Sequence, residues 1–327
     1  MRNADEAMSE CLAQPNLLAV IFVLSVLNKS TIRDDYDGFS ISASFQKTDD
    51  LEDYISTVRG LGFYVQTFLD EREFFSWVLN GGYSTLPHKY KFVYASAVNG
   101  TGPGRRALVP AFCAHLGIPT LNQNPYSSTI GRHKHNASHL LNSLGVPSAE
   151  SWLIDHEGRW LRGARPENDR KIIAKATYEG SSIGLGPDGV LRYSKSWDDY
   201  FVDLARRLRQ PISIQEFLEG REYEIPVFEC AGEVEARPQT VVDNFGPLSG
   251  DRFLDYEKVL SENYGYTHAD TIPSDQGHYL QRIACDAYEI LGYRGIARID
   301  VRMGESGEAK VFDVSGTPDV TVMSSCA

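Results

Sequence analysis

Three short stretches of the chain hold most of the residues able to do chemistry. The first is Lys171 to Lys175 (KIIAK), followed by Tyr178-Glu179-Gly180-Ser181-Ser182-Ile183-Gly184. A lysine at a strand end, then a Gly/Ser loop, can neutralise and enclose a polyphosphate with backbone N–H groups and hydroxyls. The same residues also read as a solvated strand end with a hairpin turn. The second stretch is Gln215 to Tyr223 (QEFLEGREY). A hinge peptide there can hydrogen-bond an adenine edge while a carboxylate takes ribose hydroxyls, and a charged loop between two strands is the alternative. The third is Arg298-Ile299-Asp300 with Phe312-Asp313-Val314-Ser315. Strand alternation puts Arg298 and Asp300 on one face, and likewise Asp313 and Ser315. Two carboxylates and a hydroxyl suit magnesium bridging ATP phosphates, and Arg298 can stabilise developing negative charge. A surface ion pair is the plain alternative.

The elements that must position these residues read as follows. Leu17–Val26 is a buried strand, Thr48–Leu61 a helix ended by Gly62, Tyr64–Phe68 a strand, and Phe92–Ser96 another. The Gly-rich turn Asn99 to Gly104 matches neither Walker A nor the dinucleotide fingerprint and reads as a surface turn. Arg105–Leu116 is a helix, and Gly117-Ile118-Pro119-Thr120 leads into a further strand. This alternation predicts a parallel α/β unit. A second unit opens near Asn124, with helix Lys134–Leu144 stopped by Gly145-Val146-Pro147. Trp152–Ile154 and Lys171–Lys175 are strands, and Trp197–Leu208 is a helix. A third unit holds strands Ser213–Glu216, Tyr223–Cys230 and Glu233–Arg237, then a loop rich in Gly, Asp and Tyr. Helix Asp275–Gly292 and strands Gly295–Val301 and Ala309–Val314 complete it.

At 327 residues the chain has room for two or three packed units. Its 42% apolar and 23% charged composition excludes a largely disordered or collagen-like chain. A net charge of −12 opposes general nucleic-acid binding. The five cysteines are scattered with no Cys-x-x-Cys pair, so neither a disulfide framework nor a zinc site is expected, and a reducing cytoplasm is the simplest compartment. The apolar run Leu17–Leu27 is too short to span a bilayer. The acidic residues before it, Asp5, Glu6 and Glu10, argue against a signal-peptide core. Residues 1–14 read as a loosely held leader.

Taken together in this order, the three stretches resemble the ATP-grasp superfamily, and within it the D-alanine–D-alanine ligase-like branch. The resemblance is firm from about Lys134 to Ser324 and only topological in the first third. It implies an α/β (α+β) ATP-grasp fold: an N-terminal parallel α/β domain at 15–122, for substrate and dimer contacts, a small central α+β domain at 123–212, and a C-terminal α+β domain at 213–327 carrying the metal and catalytic residues. It implies ATP and two magnesium ions as cofactors. Lys134 and Lys175 match the phosphate lysines, and Glu179-Gly180-Ser181-Ser182 looks like the nucleotide-covering serine loop. Glu216, Phe217 and Leu218 match the adenine hinge, and Glu222 the ribose-binding glutamate. Phe253 to Lys258 is similar to the mobile loop carrying a further phosphate lysine, Lys258. Arg298, Asp300 and Asp313 match the catalytic arginine and the metal carboxylates. Ser181, Ser182 and Ser324 are implied loop or substrate contacts.

The departures bear on the substrate. The usual Glu-x-Asn metal motif is Asp313-Val314-Ser315 here, and Pro-Gly is Pro318-Asp319, which puts an aspartate side chain near the acyl centre. The acidic, Ser-rich signature after the first strand is replaced by the basic segment Asn28 to Arg33. The His-Gly turn is Asn99-Gly100, and Val259 follows Lys258 where a tyrosine is usual. The ATP machinery is kept while the D-alanine pocket is disturbed. The expectation is therefore a ligase that joins a carboxylate to an amine through an acyl phosphate, releasing ADP, on an amino-acid substrate other than two D-alanines, in specialised biosynthesis. An intramolecular cyclo-ligase and a non-catalytic ATP-binding protein are the alternatives. The partners are small-molecule carboxylate and amine substrates, with no nucleic acid or membrane, and a homodimer through the N-terminal domain is implied.

Overall fold

The computed structural model describes residues 4–122, 124–230, 232–237, 240–243, 253–261, 264–268, 272, 274–304, 307–321 and 324–326. The first sheet is formed by β1 (Leu18–Leu24), β2 (Tyr64–Phe68) and β3 (Tyr90–Ser96), in the order β2-β1-β3 and parallel throughout. β1 lies in the middle and is covered on both faces, so its sequence is apolar at every position instead of alternating. Ile21 and Val23 pack with Phe74, Val109 and Cys113, while Val20, Phe22 and Leu24 pack with Leu51 and Val65. Each such side chain contributes roughly 1.5–3 kcal/mol on burial. The apolar run near the N-terminus is thus a central strand.

Several local expectations change in this unit. The helix expected at Arg105–Leu116 is a 3-10 turn, Arg105–Ala107, followed by the α-helix Leu108–His115. Pro110 falls in its first turn, where a missing N–H costs no intrahelical bond. The strand expected after Pro119 is one bridge, Val93 to Thr120. Ala4–Ala13, within the expected loose leader, is a helix, and Glu10 accepts a hydrogen bond from the Tyr90 hydroxyl at 2.8 Å. The helix Glu71–Leu79 was not expected; Asp70 caps it by accepting the Arg72 N–H at 2.7 Å.

The second sheet contains β4 (Ser151–Ile154), β5 (Lys171–Ala176), β6 (Val190–Arg192) and β7 (Ile212–Glu216), antiparallel in the order β4-β7-β5-β6. Helix Asp198–Arg207 covers it through Phe201, Leu204 and Ala205, which pack with Ile172, Ala174, Ile212 and Ile214. Tyr36, Ile41 and Phe45 of the N-terminal part join the same core.

The third sheet contains β8 (Glu222–Cys230), β9 (Glu233–Ala236), β10 (Thr240–Asp243), β11 (Gly265–His268), β12 (Ile296–Met303) and β13 (Ala309–Ser315). Its order is β11-β10-β8-β12-β13, with β9 also on β8. Helices Lys134–Ser143 and Ser274–Ile290 pack against it through Leu141, Leu280, Ala284 and Tyr288, which meet Ile225, Ile299 and Val311. The loop expected after Arg237 therefore contains strands β10 and β11 and the helix Tyr256–Ser261. Its stretch 244–252 lies outside the described residues. Among the described residues no helix is long and apolar enough to cross a membrane.

One buried ion pair ties the first unit to the second. Both Arg105 terminal nitrogens donate to the Glu179 carboxylate, and the Tyr36 hydroxyl donates to its Oε1 at 2.6 Å. The two side chains are 5% and 1% exposed. Burial pushes the Glu179 pKa up, but its bonds to Arg105 and the guanidinium charge outweigh burial and leave it below the usual range. This stabilisation is fully present above the ordinary glutamate pKa of about 4.3 and is lost as pH falls through the lowered native value. Glu179→Gln, which strands the Arg105 charge, is expected to lower unfolding stability at pH 7 by about 3–5 kcal/mol. Urea titrations at pH 7 and below pH 4 should show a smaller acid loss in the variant; an unchanged midpoint at pH 7 would refute the assignment.

Candidate active site

The antiparallel pairing of β12 with β13 sets Asp300 opposite Asp313 and Arg298 opposite Ser315. On the other side of β12, Glu224 of β8 is opposite Asp300, and Glu222 is opposite Arg302. Side-chain alternation then places Glu224, Asp300 and Asp313 in one row on one face of the sheet. All three line a cleft of about 400 Å³, with Arg298, Arg302 and Ser315. Lys175, Gln215 and the Gly180–Ser182 loop form part of the opposite wall, and Ser42–Lys47 and Arg106 approach from the N-terminal part.

Cations neutralise the acidic row. Arg298 donates from Nε and Nη2 to the two Asp300 oxygens at 2.7 and 2.8 Å, and its Nη1 lies 3.1 Å from Glu224. Lys134 Nζ donates to both Asp313 oxygens at 2.7 and 2.6 Å. Burial raises the Asp300 pKa against the pull of Arg298, with Glu224 adding to the rise. At Asp313 burial acts in the same direction, yet Lys134 and Lys175 prevail and hold it below the usual carboxylate range. Lys175 donates to Gln215 Oε1 at 2.8 Å and lies 4.7 Å from the centre of the Phe312 ring. Its pKa falls to about 8, first through burial and then through repulsion from Lys134, with Asp313 opposing the fall.

This donor set fits magnesium. Two carboxylates face each other across adjacent strands, and a hydroxyl, Ser315, lies one alternation further on. Among the described residues no group of three or more His, Cys, Asp or Glu could cage a metal alone. Magnesium commonly takes one or two carboxylates and completes its shell with phosphate oxygens and water.

The remaining expected residues divide into those that face the cleft and those engaged elsewhere. Phe217 and Leu218 line it, and the Arg302 guanidinium stacks on the Phe217 ring with its carbon 4.6 Å from the centroid. The Glu216 carboxylate is a structural tie: it accepts from Lys310 Nζ and Arg170 Nη2, each at 2.7 Å, and from the Glu150 N–H at 2.9 Å. Glu222 lies 3.9 Å from Arg302 Nη1, and burial raises its pKa. Ser181 and Ser182 both hold left-handed backbones, φ 51°. Their hydroxyls engage Ser44 Oγ at 3.1 Å and the Leu254 carbonyl at 2.6 Å, so both sides of the cleft hold the loop. Glu179 is consumed by Arg105 and Tyr36, as described above.

Three expected residues are turned to other partners. Lys258 donates to the Phe253 carbonyl at 3.1 Å and lies 3.6 Å from Asp255, while its neighbours Val259 and Leu260 line the cleft. Asp319 reaches the cleft but accepts from the Tyr54 hydroxyl and the Thr321 N–H, each at 3.0 Å. Ser324 Oγ accepts the Cys326 N–H at 3.2 Å, and it is the neighbouring Ser325 that reaches Glu224, donating to it at 2.5 Å. In the basic segment, Arg33 is paired with Asp70 and Glu71, and its N–H donates to Asn99 Oδ1 at 3.2 Å.

Sequence reasoning missed Arg302, Arg106, Arg132, Tyr264 and Tyr266, all on the cleft wall. Arg302 was findable, because alternation carries the face of Arg298 and Asp300 two residues on. The others carried no spacing signal.

Comparison with known proteins agrees with this geometry. The family described as D-ala D-ala ligase C-terminus matches residues 140–327, more than half of the chain. A D-alanine–D-alanine ligase of Pseudoalteromonas translucida is 26% identical over 227 residues, covering 69% of this chain and 69% of its own. One from Glaesserella parasuis is 26% identical over 231 residues, covering 67% and 69%. Among solved structures, the D-alanine–D-alanine ligase of Bacillus anthracis complexed with ATP has a TM-score of 0.65 at 12% identity, covering 95% of this chain and 89% of that one. The VanG D-Ala:D-Ser ligase of Enterococcus faecalis has a TM-score of 0.64 at 14% identity, covering 95% and 93%. At these identities the structural likeness establishes the ATP-grasp fold. The chain belongs to the D-alanine–D-alanine ligase C-terminus family, within the ATP-grasp superfamily.

Proposed function

We propose that this protein is an ATP-dependent carboxylate–amine ligase that forms an amide or peptide bond through an acyl phosphate, releasing ADP and phosphate. The observation that carries the reading is the face formed by Arg298, Asp300, Asp313 and Ser315 across β12 and β13, with Lys134 and Lys175 in the same cleft. Its relatives are named D-alanine–D-alanine ligases. The proposed units are 15–122, 123–212 and 213–327, although the strand Ile212–Glu216, expected in the third unit, pairs with β4 and β5 in the second sheet, so the second boundary belongs after Glu216.

In this reading adenine is held at the Phe217–Leu218 hinge, and Glu222 takes ribose hydroxyls. Lys134 and Lys175 neutralise phosphate charge, so that catalysis is largely positioning and charge compensation. Asp300, Asp313 and Ser315 would hold magnesium, which would supply the Lewis-acid neutralisation of phosphate charge that lets a carboxylate approach. Arg298 and the backbone N–H of Asp319 stabilise the oxyanion that forms when the amine attacks the acyl carbon. The Gly180–Ser182 loop keeps water from the labile intermediate. A substrate pair other than two D-alanines is supported by Asp319 on the cleft wall.

Coupled detection of ADP with Mg–ATP, against a panel of L- and D-amino acids and read with product masses, tests this. The expected result is substrate-stimulated ADP and a condensation product. A product weighing the substrate minus water identifies cyclisation. AMP with pyrophosphate would remove the acyl phosphate, and ATP bound without turnover across a wide panel would support a binding protein.

Arg298→Lys keeps the charge but loses the fork that spans Asp300 and Glu224. It is expected to lower kcat by about 10²–10³-fold with ATP affinity within a few-fold. Steady-state kinetics reads this split; a kcat near that of the parent would remove Arg298 from the chemical step.

A further inference from the structure

Two arginines on the cleft wall are used by none of these roles. Arg106 lies in the 3-10 turn Arg105–Ala107, and Arg132 just before helix Lys134–Ser143. Their neighbours are compensated: Arg105 by Glu179, and Lys134 by Asp313. Among the described residues Arg106 has one weak hydrogen-bond partner, Thr317 Oγ1 at 3.5 Å from its Nη1, and its buried Nε has none. Arg132 donates no side-chain hydrogen bond among the described residues, and the charge of Asp313, its main counterweight, is already shared with Lys134 and Lys175. Gly180 makes room for it, since a Cβ there would lie 2.8 Å from Arg132 Nη1. Burial disfavours the charged form of both, and Arg132 and Arg105 further repel Arg106.

Asp313 and Glu179 lie near these guanidiniums but are already engaged by Lys134 and Arg105, and clustered guanidiniums whose carboxylates are shared in this way are costly unless a further anion completes them. In the proposed reading the ATP phosphates already have Lys134, Lys175 and the magnesium that Asp300 and Asp313 would hold. Arg106 instead touches Thr317, beside Pro318-Asp319 on the acyl side of the cleft. The planar, multi-donor guanidinium suits a carboxylate held by two bonds.

We propose that Arg106 and Arg132 form a receptor for a second carboxylate on the substrate, so that the ligase acts on a dicarboxylic amino acid or related diacid. This inference rests on the ligase reading for its context, so the test separates the two.

Wild type, Arg106→Met, Arg106→Lys and Arg132→Met would be assayed for ADP release with L- and D-glutamate, L- and D-aspartate and succinate, each with amine co-substrates, against alanine and serine. Melting curves would confirm folding. Dicarboxylates are expected to be preferred. Arg106→Met and Arg132→Met should raise the dicarboxylate KM by about 10–100-fold while the ATP KM stays within about twofold, and Arg106→Lys should recover part of the loss. A rise confined to the ATP KM would assign the guanidiniums to nucleotide phosphate and overturn the proposal. Turnover of neutral amino acids alone, with KM unchanged in Arg106→Met, would overturn it while leaving the ligase intact. If no substrate releases ADP, the ligase reading fails, and calorimetry with glutamate and succinate decides the receptor. Saturable binding weakened in Arg106→Met and Arg132→Met upholds it, and no binding overturns it.

Discussion

Three carboxylates in a row across adjacent strands set the terms for the rest of this molecule. Glu224, Asp300 and Asp313 are hydrogen-bond-register neighbours on β8, β12 and β13. Like charges directly opposite one another destabilise a sheet, and partial burial strengthens their repulsion. The sheet tolerates the row because Arg298 bridges Glu224 and Asp300, and Lys134 reaches over from the neighbouring helix to Asp313. In the proposed reading magnesium would replace the side-chain cations on these carboxylates and free Lys134 for phosphate. Structural cost and proposed chemistry therefore meet at the same residues.

The other units supply what the sheet lacks. β5 brings Lys175 and the serine loop across the cleft, and its position depends on Glu179, whose carboxylate is locked to Arg105 and Tyr36 from the N-terminal part. Tyr54 reaches Asp319 in the same way. The cleft is thus assembled from segments far apart in sequence, and its geometry depends on buried polar ties as well as on apolar packing. Such ties fix one arrangement but are sensitive to loss of either partner.

The regular elements were legible where periodicity was strong. Tyr64–Phe68 is a strand as expected, and helix Lys134–Ser143 starts at its expected residue and ends just before Gly145-Val146-Pro147. Legibility failed where local signals were weak or tertiary contacts decide: the helix Glu71–Leu79, marked only by its Asp70 cap, and the strands β10 and β11 inside a polar, glycine-rich stretch. At the site, alternation on β12 and β13 revealed which residues share a face. It could not reveal that Glu216 is bound by Lys310 and Arg170, or that Lys258 turns to Phe253 and Asp255. Those pairings join residues whose distance in sequence or local geometry carries no periodic trace, and the arginines at 106 and 132 are hidden for the same reason.

The most direct measurement is a crystal structure with magnesium and a non-hydrolysable ATP analogue. The account predicts metal bound at about 2.0–2.1 Å to Asp300 and Asp313 oxygens, Lys134 moved from Asp313 towards phosphate, and adenine at Phe217–Leu218. Nucleotide bound outside this cleft, or bound within it while Arg298 and Lys134 keep both carboxylates closed to metal, would contradict the account.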